Sequence, residues 1–292
     1  MTAKDTENFE EQGIRVFADA HVHIHDCFDF QDFFTAAARN FTSISSNGLS
    51  TPSNRYVLCL TETSRANKFK ELSKQADQKS NSISRSQAVW RFERGANNVC
   101  LRASHPNFDE IEIVAGRQIV TAEKLEILAL GTIERIEDGL AASNVITAVV
   151  DCGAIPVLPW GFGKWLGSRR RAVEDLIDEF ADGTLYLGDN SGRPALMSDP
   201  AQFELARRLG IRILPGSDPL PFASECNKAG SFGFYTDVVP SLDGIWTDVR
   251  NMLQQGEGTL QSYGSLESPV RFVRNQVAMQ YVMRISNRRR AG

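Results

Sequence analysis

Residues 17–26, FADAHVHIHD, set three of the chain's four histidines at alternate positions, His21, His23 and His25, behind an apolar run that begins at Ile14. Side chains i and i+2 of a β-strand share a face, so His21 and His23 can offer two imidazoles to one cation with Asp19 behind them. Histidines satisfied by hydrogen bonds at the mouth of a sheet would give the same pattern.

Working outward, RYVLCLTET (55–63) is a second β-branched and apolar run, and FQDFFTAAARNF between the two has helical composition. FTSISSNGLSTPSN (41–54) and KELSKQADQKSNSISRSQ (70–87) read as polar surface connections. From about 88 to 130, the segments AVWRFERG, NNVCLRAS, IEIVAGRQIVT and LEILALG predict consecutive strands, a β-rich insertion that rejoins the main sheet near Gly116.

The second half alternates. A helix over Leu140–Cys152 precedes the strand IPVLP, and RRRAVEDLIDEFA places Val173, Leu176, Ile177 and Phe180 at helical spacing before the strand TLYLG. Asp199 and Pro200 start a helix closed by Gly210, and IRILPG is the last strand of the series. Two helices, within about 241–286, close the chain. Strands alternating with helices imply an α/β fold with a parallel sheet, here a distorted TIM-like (β/α) barrel forming one domain over residues 1–292.

In such folds the site lies at the C-terminal ends of the strands. Those ends carry His21, His23 and His25, then Glu62, then Trp160 and Lys164, then Asp189 and Asn190, and finally Asp218. His21, His23 and Asp218 supply two nitrogens and one oxygen, and Glu126 a fourth ligand, leaving a position for water on one zinc, manganese or iron ion. Asp189 or Glu62 could serve as the base, or could cap turns at the strand ends. Past the strand end, His25 is expected to turn outward.

WGFGKWLGSRRR (160–171) joins glycines that admit a ligand to Trp160, Lys164 and the arginines from Arg169 at a helix start. Cations there oppose the helix dipole by about 0.3–1 kcal/mol each, so helix stability does not explain them. A bound anion would, with Arg193 and Asn190 as further contacts; so would plain solvent exposure.

Asp19-Ala20-His21-Val22-His23 resembles the first motif of the polymerase-and-histidinol-phosphatase (PHP) superfamily and of the amidohydrolases, and Gly216-Ser217-Asp218 resembles their last-strand motif. GRQIVTAEKLEILALG (116–131) is similar to the PHP segment in which a Gly-x-Glu strand precedes a His-x-Leu-Gly strand. The resemblance implies a metal-dependent hydrolase, most directly a phosphoesterase acting on a small anionic substrate. This chain departs from the pattern at Gln118, Glu126, Trp160 and Leu220, where metal-binding glutamate or histidine would stand, which implies a reduced, mononuclear site. A catalytically inactive barrel that binds a ligand or partner, and an amidohydrolase-type C–N hydrolase or lyase, are the competing readings.

Composition narrows the classes further. With 292 residues, 42% of them hydrophobic, the chain can bury a large core, and a net charge of −4 provides no global field for nucleic acid, so no nucleic-acid partner is expected. No apolar run reaches the roughly 18 residues of a membrane span and the start MTAKDTENFEEQG lacks a signal peptide's apolar core, which predicts a cytoplasmic protein. The five cysteines are scattered without a CxxC pair and read as reduced core residues.

Overall fold

In a computed structural model, described for residues 13–46, 49, 53–78 and 88–288, the first strand, β1 (Ile14–Val22), runs into the histidine segment. Helix α1 (Phe30–Ser46), strand β2 (Asn54–Leu60) and helix α2 (Lys68–Asp77) follow. Then come β3 (Arg91–Arg94), β4 (Cys100–His105), β5 (Phe108–Val114), β6 (Gly116–Val120) and β7 (Glu126–Leu130) with no helix between them. The alternating half is α3 (Ala142–Asp151), β8 (Ile155–Pro159), α4 (Ser168–Glu179), β9 (Tyr186–Asn190), α5 (Ala201–Arg208) and β10 (Ile213–Gly216). A 3-10 helix (Ala223–Lys228), β11 (Gly233–Val238), α6 (Ile245–Gln254), β12 (Gln261–Tyr263) and α7 (Pro269–Arg288) close the order. Residues 41–46 of the first polar stretch are the end of α1; much of its remainder, 79–87 of the second and 289–292 of the basic terminus lie outside the described residues.

The strands make two open sheets and no closed barrel, with orders β12-β11-β1-β2-β5-β4-β3 and β10-β9-β8-β7-β6. This corrects the TIM-like expectation, and the reason is visible at both seams. β11, which sequence reasoning missed, pairs antiparallel with β1 from Ile14 to Ala18 and occupies the edge that a barrel would give to β10. β5 likewise occupies the edge of β2. Among the described residues, backbone hydrogen bonds join the sheets past these pairings: Asp218 N–H donates to the His21 carbonyl (2.8 Å), Glu62 N–H to the Gly116 carbonyl (3.1 Å) and Gln118 N–H to the Glu62 carbonyl (2.9 Å).

Burial follows strand alternation. Val16, Ala18 and Ala20 of β1 share a core between the sheets with Val57, Cys59, Leu128, Leu130 and Val157, while Phe17, Tyr56 and Leu58 pack outward against α1. Ile127, Ala129, Leu158 and Leu187 face the other way, onto Val145, Ile146 and Val149 of α3, Val173 and Ile177 of α4 and Phe203 of α5. The order of layers is helix, sheet, sheet, helices. Val22 breaks the alternation by joining the outer set, and the β1–β2 register shifts between Asp19 and Val22. Such a bulge re-aims the side chains that follow it, here the histidines. No helix among the described residues is long and apolar enough to cross a membrane.

Candidate metal centre

Asp19 organises the seam between β1 and β10. Its fully buried carboxylate accepts backbone N–H groups from His21 (3.2 Å), Ser217 (2.8 Å) and Gly230 (2.9 Å), tying β1 to the segments that follow β10 and the 3-10 helix. Burial pushes the Asp19 carboxyl up to about 6, against the lowering effect of these hydrogen bonds. Gly216 permits the close approach: a Cβ there would lie 2.3 Å from the backbone nitrogen of His21. Asp218 then takes a φ of 46°, in the left-handed region that aspartate tolerates better than most residues.

The result is a triangle of donors. The Nε2 atoms of His21 and His23 are 3.1 Å apart, and each lies 3.6 Å from Asp218 Oδ1. Ligand atoms on a tetrahedral ion with ~2.0–2.2 Å bonds stand ~3.3–3.6 Å apart, which is the size of this triangle. Among the described residues, these three side chains form the group that could hold a metal ion. Two neutral imidazoles facing each other through Nε2 share at most one proton, and a cation between them satisfies both lone pairs.

Protonation favours ligation. Burial, with His21 and His25 nearby, lowers the His23 imidazole to about 3, so it is neutral as a ligand must be. Burial pushes the Asp218 carboxyl up, but His21 and His23 when protonated, with Lys164 and Lys228, pull it below the usual carboxylate range. Asn190 Nδ2 donates to Asp218 Oδ2 (3.2 Å) and to the Trp160 carbonyl (2.9 Å), and so orients the carboxylate. Gln118, one of the departures from the motif, stands close enough to His23 to act on its imidazole. His25 Nε2 lies 2.8 Å from the Pro219 carbonyl. A carbonyl only accepts, so that nitrogen carries a proton and is not a ligand.

Several expected site residues lie elsewhere or are otherwise engaged. Glu126 does not join the donors; its carboxylate is paired with Lys164, whose charge also acts on Asp218. Glu62 accepts from Phe69 N–H at the start of α2 (2.8 Å) and from Arg117 Nη1 (3.0 Å), the capping arrangement and not that of a free base. Asp189 precedes Asn190 in β9 and so points to the opposite face. There, Arg193 grips it in a buried bidentate pair (2.9 and 2.8 Å) and also meets Asp199 (3.1 Å), so the two side chains are engaged with each other. The Trp160 side chain is buried with Trp165 and Val173 in the helix-facing core, so only its backbone reaches the site. Arg169 donates to the Gly163 carbonyl (2.9 Å) and orders its own loop.

No protein-family model matches the chain. Over 172 residues, 59% of the chain, it is 27% identical to a protein of Sinorhizobium fredii (strain NBRC 101917 / NGR234) described as the uncharacterized hydrolase y4tI, and the match spans 41% of that protein's length. The fold is similar to the crystal structure of PsfC from Pseudomonas syringae PB-5123, with a TM-score of 0.53 and 14% identity over 92% of this chain and 99% of that one. Weaker likeness, at a TM-score of 0.48, reaches the lesion-specific endonuclease PfuEndoQ from Pyrococcus furiosus, at 13% identity over 85% of this chain and 57% of that one. At the same TM-score it reaches Endonuclease Q in complex with a 27-mer duplex containing an abasic lesion, at 12% identity over 82% of this chain and 57% of that one.

Proposed function

We propose that the protein is a metal-dependent hydrolase of phosphoesters, with one divalent ion, zinc, manganese or iron, held by His21, His23 and Asp218. The convergence of these three ligand atoms carries the reading. The resemblance of the Asp19–His23 and Gly216–Asp218 motifs to PHP enzymes supports it, as does the hydrolase name of the Sinorhizobium relative. A cation at such a site supplies Lewis acidity and makes water a nucleophile near neutral pH.

The protein's own groups do the rest. Asn190 holds the Asp218 carboxylate, and Asp19 holds the backbone from which His21 and Asp218 project. Lys164 is the cationic substrate contact: an ammonium has three donors, and the bond to Glu126 leaves two for the oxygens of an anion.

Elemental analysis of protein prepared without chelator is expected to find at most about one transition-metal ion per chain, because three ligands make one first shell. His23→Ala and Asp218→Ala should lose the ion and, with it, hydrolysis across a panel of phosphomonoesters, phosphodiesters including duplex DNA, and cyclic amides. Two or three ions per chain would overturn the mononuclear site. None in any metal-supplemented preparation would favour a non-catalytic ligand binder, and turnover of the cyclic amides alone would favour a C–N hydrolase.

A further inference from the structure

A cavity of about 660 Å³ opens beside β6, away from the metal centre. Arg117 of this strand lines the cavity, and none of His21, His23 and Asp218 does. Lys70, Arg94, Arg117 and Arg135 stand in its walls against Glu62 and Glu134, a lining of net charge +2 in a chain of net charge −4.

Internal pairing leaves part of that charge unmatched. Glu62 is committed to Arg117 (3.0 Å), and Arg94 to Asp77 (2.6 Å). Among the described residues, Arg135 meets the neutral side-chain oxygen of Asn67 (2.9 Å) and no carboxylate, and Lys70 has no hydrogen bond or ion pair. Arg117 Nε is buried without a partner. The Nη atoms of Arg117 donate to Glu62 and to the carbonyls of Ala66 (3.4 Å) and Ile133 (3.3 Å), so the charge left for a ligand is that of Lys70 and Arg135, opposed by Glu134. The 40%-exposed Ile133, with the edge of the otherwise buried Phe69, adds apolar surface that a lone inorganic ion would leave uncovered. The volume falls in the ~300–1,000 Å³ range of small-molecule sites.

We infer that this cavity binds a phosphorylated ligand of nucleotide size, with its phosphates on Arg135 and Lys70 and its apolar body against Phe69 and Ile133. The site is separate from the metal centre and does not depend on what that centre catalyses. Titration calorimetry on the full chain tests it, with ATP, ADP and inorganic phosphate as probes. Saturable nucleotide binding is expected below about 1 mM, weakening with salt, and phosphate alone should bind less tightly. Lys70 and Arg135 are exposed, so the double variant Lys70→Ala/Arg135→Ala keeps its fold, checked by circular dichroism, and should lose about tenfold or more in affinity. His23→Ala should bind as the wild type does. Absence of saturable binding of either nucleotide by about 1 mM would overturn the inference. So would phosphate binding as tightly as ADP, or binding lost in His23→Ala but kept in the double variant.

Discussion

Asn190 shows how much one residue position decides. It bridges the Trp160 carbonyl and Asp218, while the adjacent Asp189 faces away into the Arg193 pair. Both looked equally available in the sequence, because a strand's composition does not reveal which parity faces the site. Removing the residue that orients a metal ligand typically costs 10–100-fold in affinity, so Asn190→Ala should weaken metal binding by about that factor with the melting temperature little changed. Competition against a chromophoric chelator measures it, and wild-type affinity would strike Asn190 from the site. His25→Ala should retain the metal, since its Nε2 serves Pro219. The pairing of His21 with His23 was legible because period-two spacing is a local property. The pairing of Glu126 with Lys164 was not, because it joins β7 to the loop after β8.

At the scale of elements, the decisive contact is β10 against the end of β1. Gly216 lies flat on His21, and a Cβ there would come within 2.4 Å of the His21 Cβ as well as 2.3 Å of its nitrogen. Gly216→Ala should therefore destabilise the protein by about 1–3 kcal/mol and also weaken metal binding, since relief of the clash must separate His21 from Asp218. Denaturant unfolding and metal titration on one preparation test both parts; lost stability with unchanged affinity would mean that the seam yields elsewhere. The helices and strands of the alternating half were readable from their spacing, as α4 and α5 show. The antiparallel run from β3 to β7 was read as strands, yet β5 and β6, separated by Ala115, enter different sheets. β11 was legible in principle, since GFYTDV has aromatic and β-branched residues between Gly230-Ser231 and Pro240, but its place on the edge of β1 was not.

Across the whole molecule, the start of α7 is fastened to the 3-10 helix by a buried charge network. Glu225 meets Lys228 (3.0 Å) and Arg271 (2.9 Å), both of which also reach Glu267 (3.4 and 3.0 Å), and Asn275 donates to Glu267 (3.0 Å). Burial pushes the Glu225 carboxyl up, but the two cations outweigh it and hold it below the usual range. A carboxyl depressed in the folded state contributes stability above its unfolded pKa of about 4.3, and that contribution is lost as the pH falls through the lower folded value. Melting temperature should drop on acidification below about pH 4.3. Glu225→Gln should cost about 1–3 kcal/mol at neutral pH, moderated by the partial exposure of Arg271, and should flatten the acid dependence. Melts over a pH series check this, and parallel acid curves for the two proteins would exclude Glu225 as the source.

What the sequence by itself determined is local: the period-two histidines after an apolar strand, the Gly-Ser-Asp that lets a second backbone close on them, and the helical spacing of the later segments. The tertiary structure alone decided that β11 and β5 fill the edges of β1 and β2, leaving two open sheets in place of a barrel. It also decided which carboxylates ion pairs consume, Glu62, Glu126 and Asp189 among them. Strand alternation and turn chemistry are set within a few residues of chain. Edge pairing and charge pairing are contests among distant segments for the same hydrogen bonds, and their winners are known only once the chain has folded.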